Sequence, residues 1–409
     1  MYTMKKAQGV RPVRALILTG DLGDGHRQAA MALAEACGHS DSSVHAEIAD
    51  YMREVYALAH PFMKYCFLKG VEKAPSLYGY LYRRSRMKEE LSTFSRTFLR
   101  LGSSKLLELL HMHRSELIVS TFPLASAAVS LLKEQRLVHA PLVTVITDYA
   151  DHALWIQPHT DLYVVGSAHV AHALRERGIA EERIQVTGIP IRSRFYNPSP
   201  PPAELKQRLG LDPLKPLVLV MGGGGGLLSD EARRLVQSEV LLERAQLAFL
   251  CGSNEAVRQE LTAELQPAYA SSVRVEGFVD NIEQWMGAAT LLVTKPGGLT
   301  TSEAAAMKLP MLLYRPIPGQ EEENAAVLEK SGVAVCARPD RRLLDQLLEL
   351  LESPRRLEEM SRHAEAFCCG LSAELAWEAA LELLQGRSAK SAEHPGWTAA
   401  GVREQVLEA

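Results

Sequence analysis

The sequence predicts an α/β protein made of two Rossmann-like domains with a proline linker between them. Three observations predict it. Apolar runs of strand length alternate with Ala- and Leu-rich helical stretches along most of the 409 residues. Two of those runs end in glycine-rich loops that lead into helices: 12–19 (PVRALILT) into GDLGDG, and 215–221 (KPLVLVM) into five glycines. Between the two patterns stands 198–202, PSPPP, whose consecutive prolines continue neither helix nor sheet. The expected plan is a first domain over 12–197, a linker over 198–204 and a second domain over 205–365.

The composition fits this plan. Hydrophobic content of 47% and charged content of 23% are those of a soluble globular protein, and the net charge of −4 argues against nucleic acid as a partner. No apolar run approaches the roughly 18–20 residues of a membrane span. The basic N-terminus lacks the apolar core of a signal peptide. The six cysteines show no metal-ligand spacing and read as reduced thiols of a cytoplasmic protein.

In chain order, strand 12–19 opens the first domain. Its loop has the order G-x-x-G-x-G, and no strand-end acid follows about 20 residues on, so it is not a dinucleotide fingerprint. Gly25 lets a ligand approach the backbone, and His26 stands where an imidazole can point at it; a plain helix-capping His is the alternative. A helix over 27–37 and a strand over 44–50 follow. Residues 51–114 change character: helical, aromatic and basic, with twelve Lys or Arg against five Glu and no Asp, a net +7. The segment 78–88, YGYLYRRSRMK, concentrates rings and cations in Tyr80, Tyr82, Arg83, Arg84 and Arg86. That mixture suits an interface with anionic head groups, against the alternative of core aromatics with a solvated cationic face. A strand running into a turn over 117–123 and a strand at 141–147 come next. Asp148, Asp151, His152 and Trp155 follow the second, at the strand edge where open α/β sheets place their sites.

Strands at 162–166 and 185–191 complete the first half. In the second half, Gly223 and Gly224 lie within the five-glycine loop, which allows very close approach to a ligand. Strand 246–251 runs into Gly252-Ser253-Asn254, and strand 273–278 into Phe278-Val279. Strand 291–294 feeds the stretch around which the chain is organised, Lys295 to Asn324. After a last strand at 333–336, helices at 341–353 and 371–385 precede a polar tail, 387–409, expected to fray.

Residues 295–324 read as loop, helix, strand and a second polar loop. The Gly297-Gly298 turn bares backbone N–H groups at the positive end of a helix dipole, and Thr300, Thr301 and Ser302 add hydroxyls, which makes an anion site suited to a diphosphate. Glu303 would repel a bare phosphate but can grip a pair of ribose hydroxyls. Gln320, Glu321 and Asn324 can grip more. Phosphate, ribose and sugar together describe a nucleotide sugar. Spacing alone allows a glycine-capped turn with a solvated acidic loop equally well.

KPGGLTTSEA followed by GQEEEN resembles the carbohydrate-binding half of the GT-B glycosyltransferases, whose two Rossmann-like domains face each other across a cleft. The likeness is to processive diacylglycerol glucosyltransferases of Gram-positive bacteria and plant monogalactosyldiacylglycerol synthases, and more distantly to the lipid II N-acetylglucosaminyltransferase. It covers roughly 12–385 and includes the G-x-G-H element at His26, the TDxxxHxxW segment at 147–155 and TGIPI before the linker. The resemblance implies an inverting transfer of a hexose, most readily glucose, from its UDP form to diacylglycerol, repeated in a processive enzyme. It implies His26 as general base, with Asp148 as partner or rival. Gly25, Gly223, Gly224 and Asn254 would face the donor, and the Phe278-Val279 backbone its pyrimidine. Gly297, Gly298, Leu299, Thr300, Thr301 and Ser302 would hold the diphosphate, Glu303 the ribose, and Gln320, Glu321 and Asn324 the hexose. Asp151, His152 and Trp155 would line the acceptor entrance. Tyr80, Tyr82, Arg83, Arg84 and Arg86 would meet an anionic membrane from its cytoplasmic face. No metal or other cofactor is implied, because a helix start can carry the leaving charge and no D-x-D pair stands where this fold would use one. The 371–385 helix would return to the first domain. A galactosyl donor, an undecaprenyl-linked acceptor, a UDP-sugar 2-epimerase and a non-catalytic UDP-sugar-binding protein are the alternatives.

Overall fold

A computed structural model of the chain describes residues 12–21, 23–40, 44–86, 93–222 and 229–392. The first domain holds a six-stranded sheet of β1 (Val13–Thr19), β2 (Val44–Asp50), β3 (Leu117–Ser120), β4 (Leu142–Val145), β5 (Leu162–Val165) and β6 (Ile184–Val186), in the order β2-β1-β3-β4-β5-β6. The second holds β7 (Leu217–Met221), β8 (Gln246–Leu250), β9 (Val273–Glu276), β10 (Leu291–Thr294), β11 (Met311–Leu313) and β12 (Ala334–Cys336), in the order β12-β11-β10-β7-β8-β9. Every pairing is parallel. Parallel strands need helices on both faces, which is why β3, β4, β5 and β10 are mostly apolar and buried along their whole length.

Strand order reverses between β1 and β3 in the first sheet and between β7 and β10 in the second. Ligands of open α/β sheets bind outside the strand ends at such points. The loops there are the one that leads to His26 and the one that holds Gly297 and Gly298.

Two boundaries differ from expectation. The linker ends earlier, because a helix begins at Pro202 and runs to Arg208. Proline stops a helix only from within; at the first helical position its missing N–H has no partner to lose. The last helix spans Ser372–Ala392, past the expected start of the tail at 387; residues 393–409 lie outside the described residues. This helix packs beside the Asp24–Ser40 helix on one face of the first sheet, where Trp377 is fully buried and its indole N–H donates to the Leu33 carbonyl.

Candidate active site

The Asp24–Ser40 helix carries His26 in its first turn. The ring meets Phe122 and Trp155 edge-on, with centroids 5.3 and 5.8 Å away. Thr147 Oγ1 lies 3.0 Å from Nδ1, and Thr121 Oγ1 donates to the His26 carbonyl at 2.9 Å. Burial pushes the imidazole below the usual histidine range, and the neighbouring Asp148 carboxylate opposes the shift. A bond to the Thr121 backbone opposes it too, and the result is a neutral ring at neutral pH with Nδ1 beside the Thr147 hydroxyl. Trp155, expected at the acceptor entrance, is buried and serves as a wall for this ring.

Across the cleft, the Gly298–Ala306 helix starts at Gly297 with no side-chain cap. Its first backbone N–H groups are therefore unclaimed by the helix, at the end where the dipole favours an anion. Gly25 approaches Leu299, so the two helix starts face each other. Gly298 lies against the Thr147 carbonyl so closely that an added Cβ would collide with it. Thr147 thus touches the anion-type helix start with its carbonyl and His26 with its hydroxyl.

Two of the expected anion ligands are otherwise engaged. Thr301 Oγ1 donates to the carbonyls of Gly297 and Gly298 at 2.8 and 3.1 Å, and Ser302 Oγ donates to Gly298 at 2.7 Å. Inside a helix, a hydroxyl finds the carbonyl one turn back before it finds a ligand. Ser302 Oγ also lies 2.6 Å from Tyr149 OH, a first-domain side chain buried in the core of the second. Leu299 and Thr300 keep partial exposure in the first turn. Glu303 follows, and burial raises its carboxyl to about 8, with Arg194 and Arg192 opposing.

The 320–324 segment is not a loop. Gly319, at φ 103°, starts the Gln320–Lys330 helix, and the Glu322 carboxylate accepts from its N–H at 2.9 Å. Gln320 stays partly exposed, while Glu321 accepts from Ile317 N at 2.7 Å and has its pKa raised by burial, with Lys295 opposing. Asn324, expected to grip a sugar hydroxyl, is fully buried. Its Nδ2 donates to Pro296 O at 3.0 Å and Asp148 Oδ1 at 3.3 Å, and its Oδ1 accepts from Tyr149 N at 2.8 Å. An amide has two donors, and both are spent. Asn324 is a latch between the domains and holds Asp148 in place.

The expected acceptor and membrane residues divide in the same way. Asp151 is matched by Arg86 at 2.6 Å and Arg177 at 2.9 Å. His152 uses both ring nitrogens: Nδ1 accepts from Leu154 N at 3.1 Å, and Nε2 lies 3.1 Å from Ser85 Oγ and 3.3 Å from Tyr82 O. Tyr82 is buried, Arg86 also pairs with Glu323 at 2.8 Å, and Arg83 reaches Glu322 at 3.5 Å. Tyr80 and Arg84 face outward and, among the described residues, Arg84 has no carboxylate partner; it donates to Tyr80 OH at 3.2 Å. Asn254 caps the Glu255–Ala263 helix through a bond from Val257 N at 3.1 Å. Phe278 is 73% exposed at the end of β9, with Val279 beside it. Gly223 and Gly224 lie outside the described residues.

Among the described residues one group, Asp21, Asp50 and His60, has metal-ligand spacing. Its charges are already matched: His60 and Lys64 lie 2.6 and 2.8 Å from Asp21, and Asp50 caps Arg53 N. It reads as a joint between the first glycine loop and the His60–Lys73 helix.

Comparison with known proteins gives the family and the fold. Residues 26–191 match the monogalactosyldiacylglycerol synthase family model, and 217–373 match the glycosyltransferase family 28 C-terminal domain. A processive diacylglycerol beta-glucosyltransferase of Bacillus cytotoxicus is 33% identical over 362 residues, covering 86% of this chain and 89% of the relative. The chain belongs to the diacylglycerol glucosyltransferase and monogalactosyldiacylglycerol synthase family. It is a glycosyltransferase. Its fold is GT-B: Acinetobacter baumannii MurG superposes with a TM-score of 0.55 at 14% identity, covering 92% of this chain and 100% of that one. A UDP-GlcNAc 2-epimerase from Neisseria meningitidis, bound to UDP-GlcNAc, gives 0.56 at 13%, covering 91% and 100%. At such identities these likenesses speak to fold alone.

Sequence reasoning missed several residues that the fold brings to this candidate site. Thr147 and Tyr149 flank Asp148 and sit at a strand's C-terminal edge, a position that signals a site without saying which side chain serves it. Tyr78 comes close enough to Asp148 and Glu321 for their charges, with burial as the larger cause, to raise its phenol to about 12. Arg192 and Arg194 reach the Glu303 region from just before the linker, and nothing in their spacing announces it.

Proposed function

We propose that the protein is an inverting transferase that moves a hexose, glucose first among candidates, from UDP-hexose to the free hydroxyl of diacylglycerol at the cytoplasmic face of a membrane. The observation that carries the reading is Thr147, which joins the uncapped start of the Gly298–Ala306 helix to His26. An anion site and a neutral imidazole on opposite walls of one cleft are what in-line displacement at a sugar carbon requires. The acceptor oxygen forms its bond to C1 while its proton passes to the His26 imidazole. The C1–oxygen bond breaks on the opposite face, and UDP leaves with the electron pair. The backbone N–H groups of the helix start meet the charge that develops; donors of this kind contribute about 3–4 kcal/mol to comparable reactions. Asp148 stabilises the imidazolium. No metal is needed for this charge balance. Processive addition of further sugars would use the same site, with the product as acceptor.

The acceptor is held in a bilayer, and the first domain offers a surface for one. Leu58, Phe62, Tyr65, Leu77, Tyr80 and Leu81 are exposed on and beside the His60–Lys73 and Pro75–Arg86 helices, inside the segment of net charge +7. Apolar rings among cations suit an anionic lipid surface. No helix among the described residues is long and apolar enough to cross a membrane. The test is incubation with radiolabelled UDP-glucose, UDP-galactose or UDP-GlcNAc and vesicles of diacylglycerol with an anionic lipid. Label is expected in the lipid phase from a UDP-hexose; label that stays in water with every donor removes the reading.

Glu303 gives a sharper check on the donor. Its carboxyl titrates near 8, so at pH 7 it is mostly protonated and offers a ribose one donor and one acceptor. Glu303→Ala is expected to weaken UDP binding about tenfold, roughly 1.4 kcal/mol. Glu303→Gln, which resembles the protonated acid, is expected to retain most of the affinity at pH 7. Equal UDP affinity in wild type and Glu303→Ala, measured by calorimetry, refutes the ribose assignment.

A further inference from the structure

The Pro75–Arg86 helix belongs to the first domain, yet it is bound to the donor segment of the second. Tyr78, Gly79, Tyr82, Ser85 and Arg86 recur at helical spacing on its inner face. Gly79 lets Pro318 in, since an added Cβ would stand 2.5 Å from the Pro318 Cβ. The Tyr82 ring covers Gly319, where a side chain would stand 2.7 Å from the ring. Arg86 bridges Glu323 of the second domain and Asp151 of the first, at 2.8 and 2.6 Å. Arg177 fixes the far side of that joint, bonding Asp151 at 2.9 Å and the Arg86 carbonyl at 3.2 Å.

The opposite face of the same helix carries Leu77, Tyr80, Leu81 and Arg84, three or four residues apart and all exposed. One rigid element therefore has the surface suited to lipid on one side and the Pro318–Asn324 segment on the other.

We propose that this helix couples docking on an anionic lipid surface to donor binding, with Arg86 as the positioning residue at the joint. The inference rests on the membrane reading given above. Seating the outer face on a bilayer fixes the helix, and through Gly79, Tyr82 and Arg86 it fixes the segment that carries Gln320 and Glu321. Whichever ligand arrives first holds the helix in this docked position, and the second then binds to an element already in place. Linkage makes the effect reciprocal: lipid raises donor affinity by the same factor as donor raises lipid affinity.

The test uses the full chain, UDP as the probe of the donor site, and vesicles of phosphatidylcholine with phosphatidylglycerol. UDP affinity is measured with and without saturating vesicles, and vesicle affinity with and without saturating UDP. Both are expected to rise by one common factor of about five or more, the lower end of typical couplings. Arg86→Gln is expected to bring the factor close to one while vesicle binding without UDP stays within about twofold, because the outer stripe is untouched. Gly79→Ala, which wedges the helix from Pro318 by shape instead of charge, is expected to do the same. Vesicle binding with unchanged UDP affinity overturns the inference and leaves the membrane reading standing. Full coupling retained in both variants also overturns it. No vesicle binding by the wild-type protein at any anionic lipid fraction overturns both.

Discussion

His26→Ala is expected to reduce kcat about a thousandfold while UDP affinity stays within a few-fold. A positioned general base contributes about 10²–10⁴ to a rate, and the ring touches Thr147, Phe122 and Trp155 but no residue of the donor helix. The pH profile gives an independent reading. The base must be neutral to accept a proton, so kcat/KM rises with pH through its pKa. Burial holds that pKa below the ordinary histidine value of about 6.5. Wild-type kcat/KM is therefore expected to be flat near pH 7 and to fall only below the ordinary histidine range. In His26→Ala the residual rate should lose that limb. Normal turnover with the limb intact would transfer the base role to Asp148.

Asn324→Asp has the second largest expected effect. The substitution keeps an acceptor for Tyr149 N and removes both donors, which turns a carboxylate toward the Asp148 carboxylate and the Pro296 carbonyl. Each buried hydrogen bond lost with its partner unsatisfied costs about 1–3 kcal/mol, so the melting temperature should fall by several degrees and kcat by about a hundredfold. The informative measurement is again the pH profile. A second negative charge near His26 favours the imidazolium and raises its pKa, so the acidic limb should move to higher pH. Loss of activity with the limb unmoved would mean that Asn324 supports the fold but does not set the electrostatics of Asp148 and His26.

Much of the architecture was legible in the sequence because it rests on short-range rules. The strand runs are apolar because both faces are covered, and the glycine loops stand at strand ends because backbone must come close there. The likeness of 295–324 to nucleotide-sugar sites pointed to the uncapped helix start at Gly297. What escaped was the partner of each polar side chain. Thr301 and Ser302 are of the right type for a phosphate, but a carbonyl one turn back competes for their hydroxyls. Asn324 has the right type for a sugar, yet a residue 176 positions earlier takes one of its donors. Tyr82 and Arg86 look like an outward face in sequence, and only the second domain, folded against them, turns them inward. Prolines and a glycine ahead of Gln320 predict a loop there, while the bond from Gly319 N–H to the Glu322 carboxylate that starts the helix is hidden inside the acidic run.

The last helix has a consequence for what counts as a half of this molecule. Trp377 and its alanine neighbours fill a groove on the first sheet, but they are encoded after the second domain. The chain therefore crosses between the domains twice, and Ser372 ties the crossings together through bonds with Ile189 O, Ile191 N and Tyr196 OH. A fragment ending at 197 would expose an unfilled apolar groove, and a fragment beginning at 202 would carry the piece that fits it. A cut in the proline stretch would leave two chains that recognise each other, a natural split pair. Truncation at the apparent domain border would separate one folding unit from its own core.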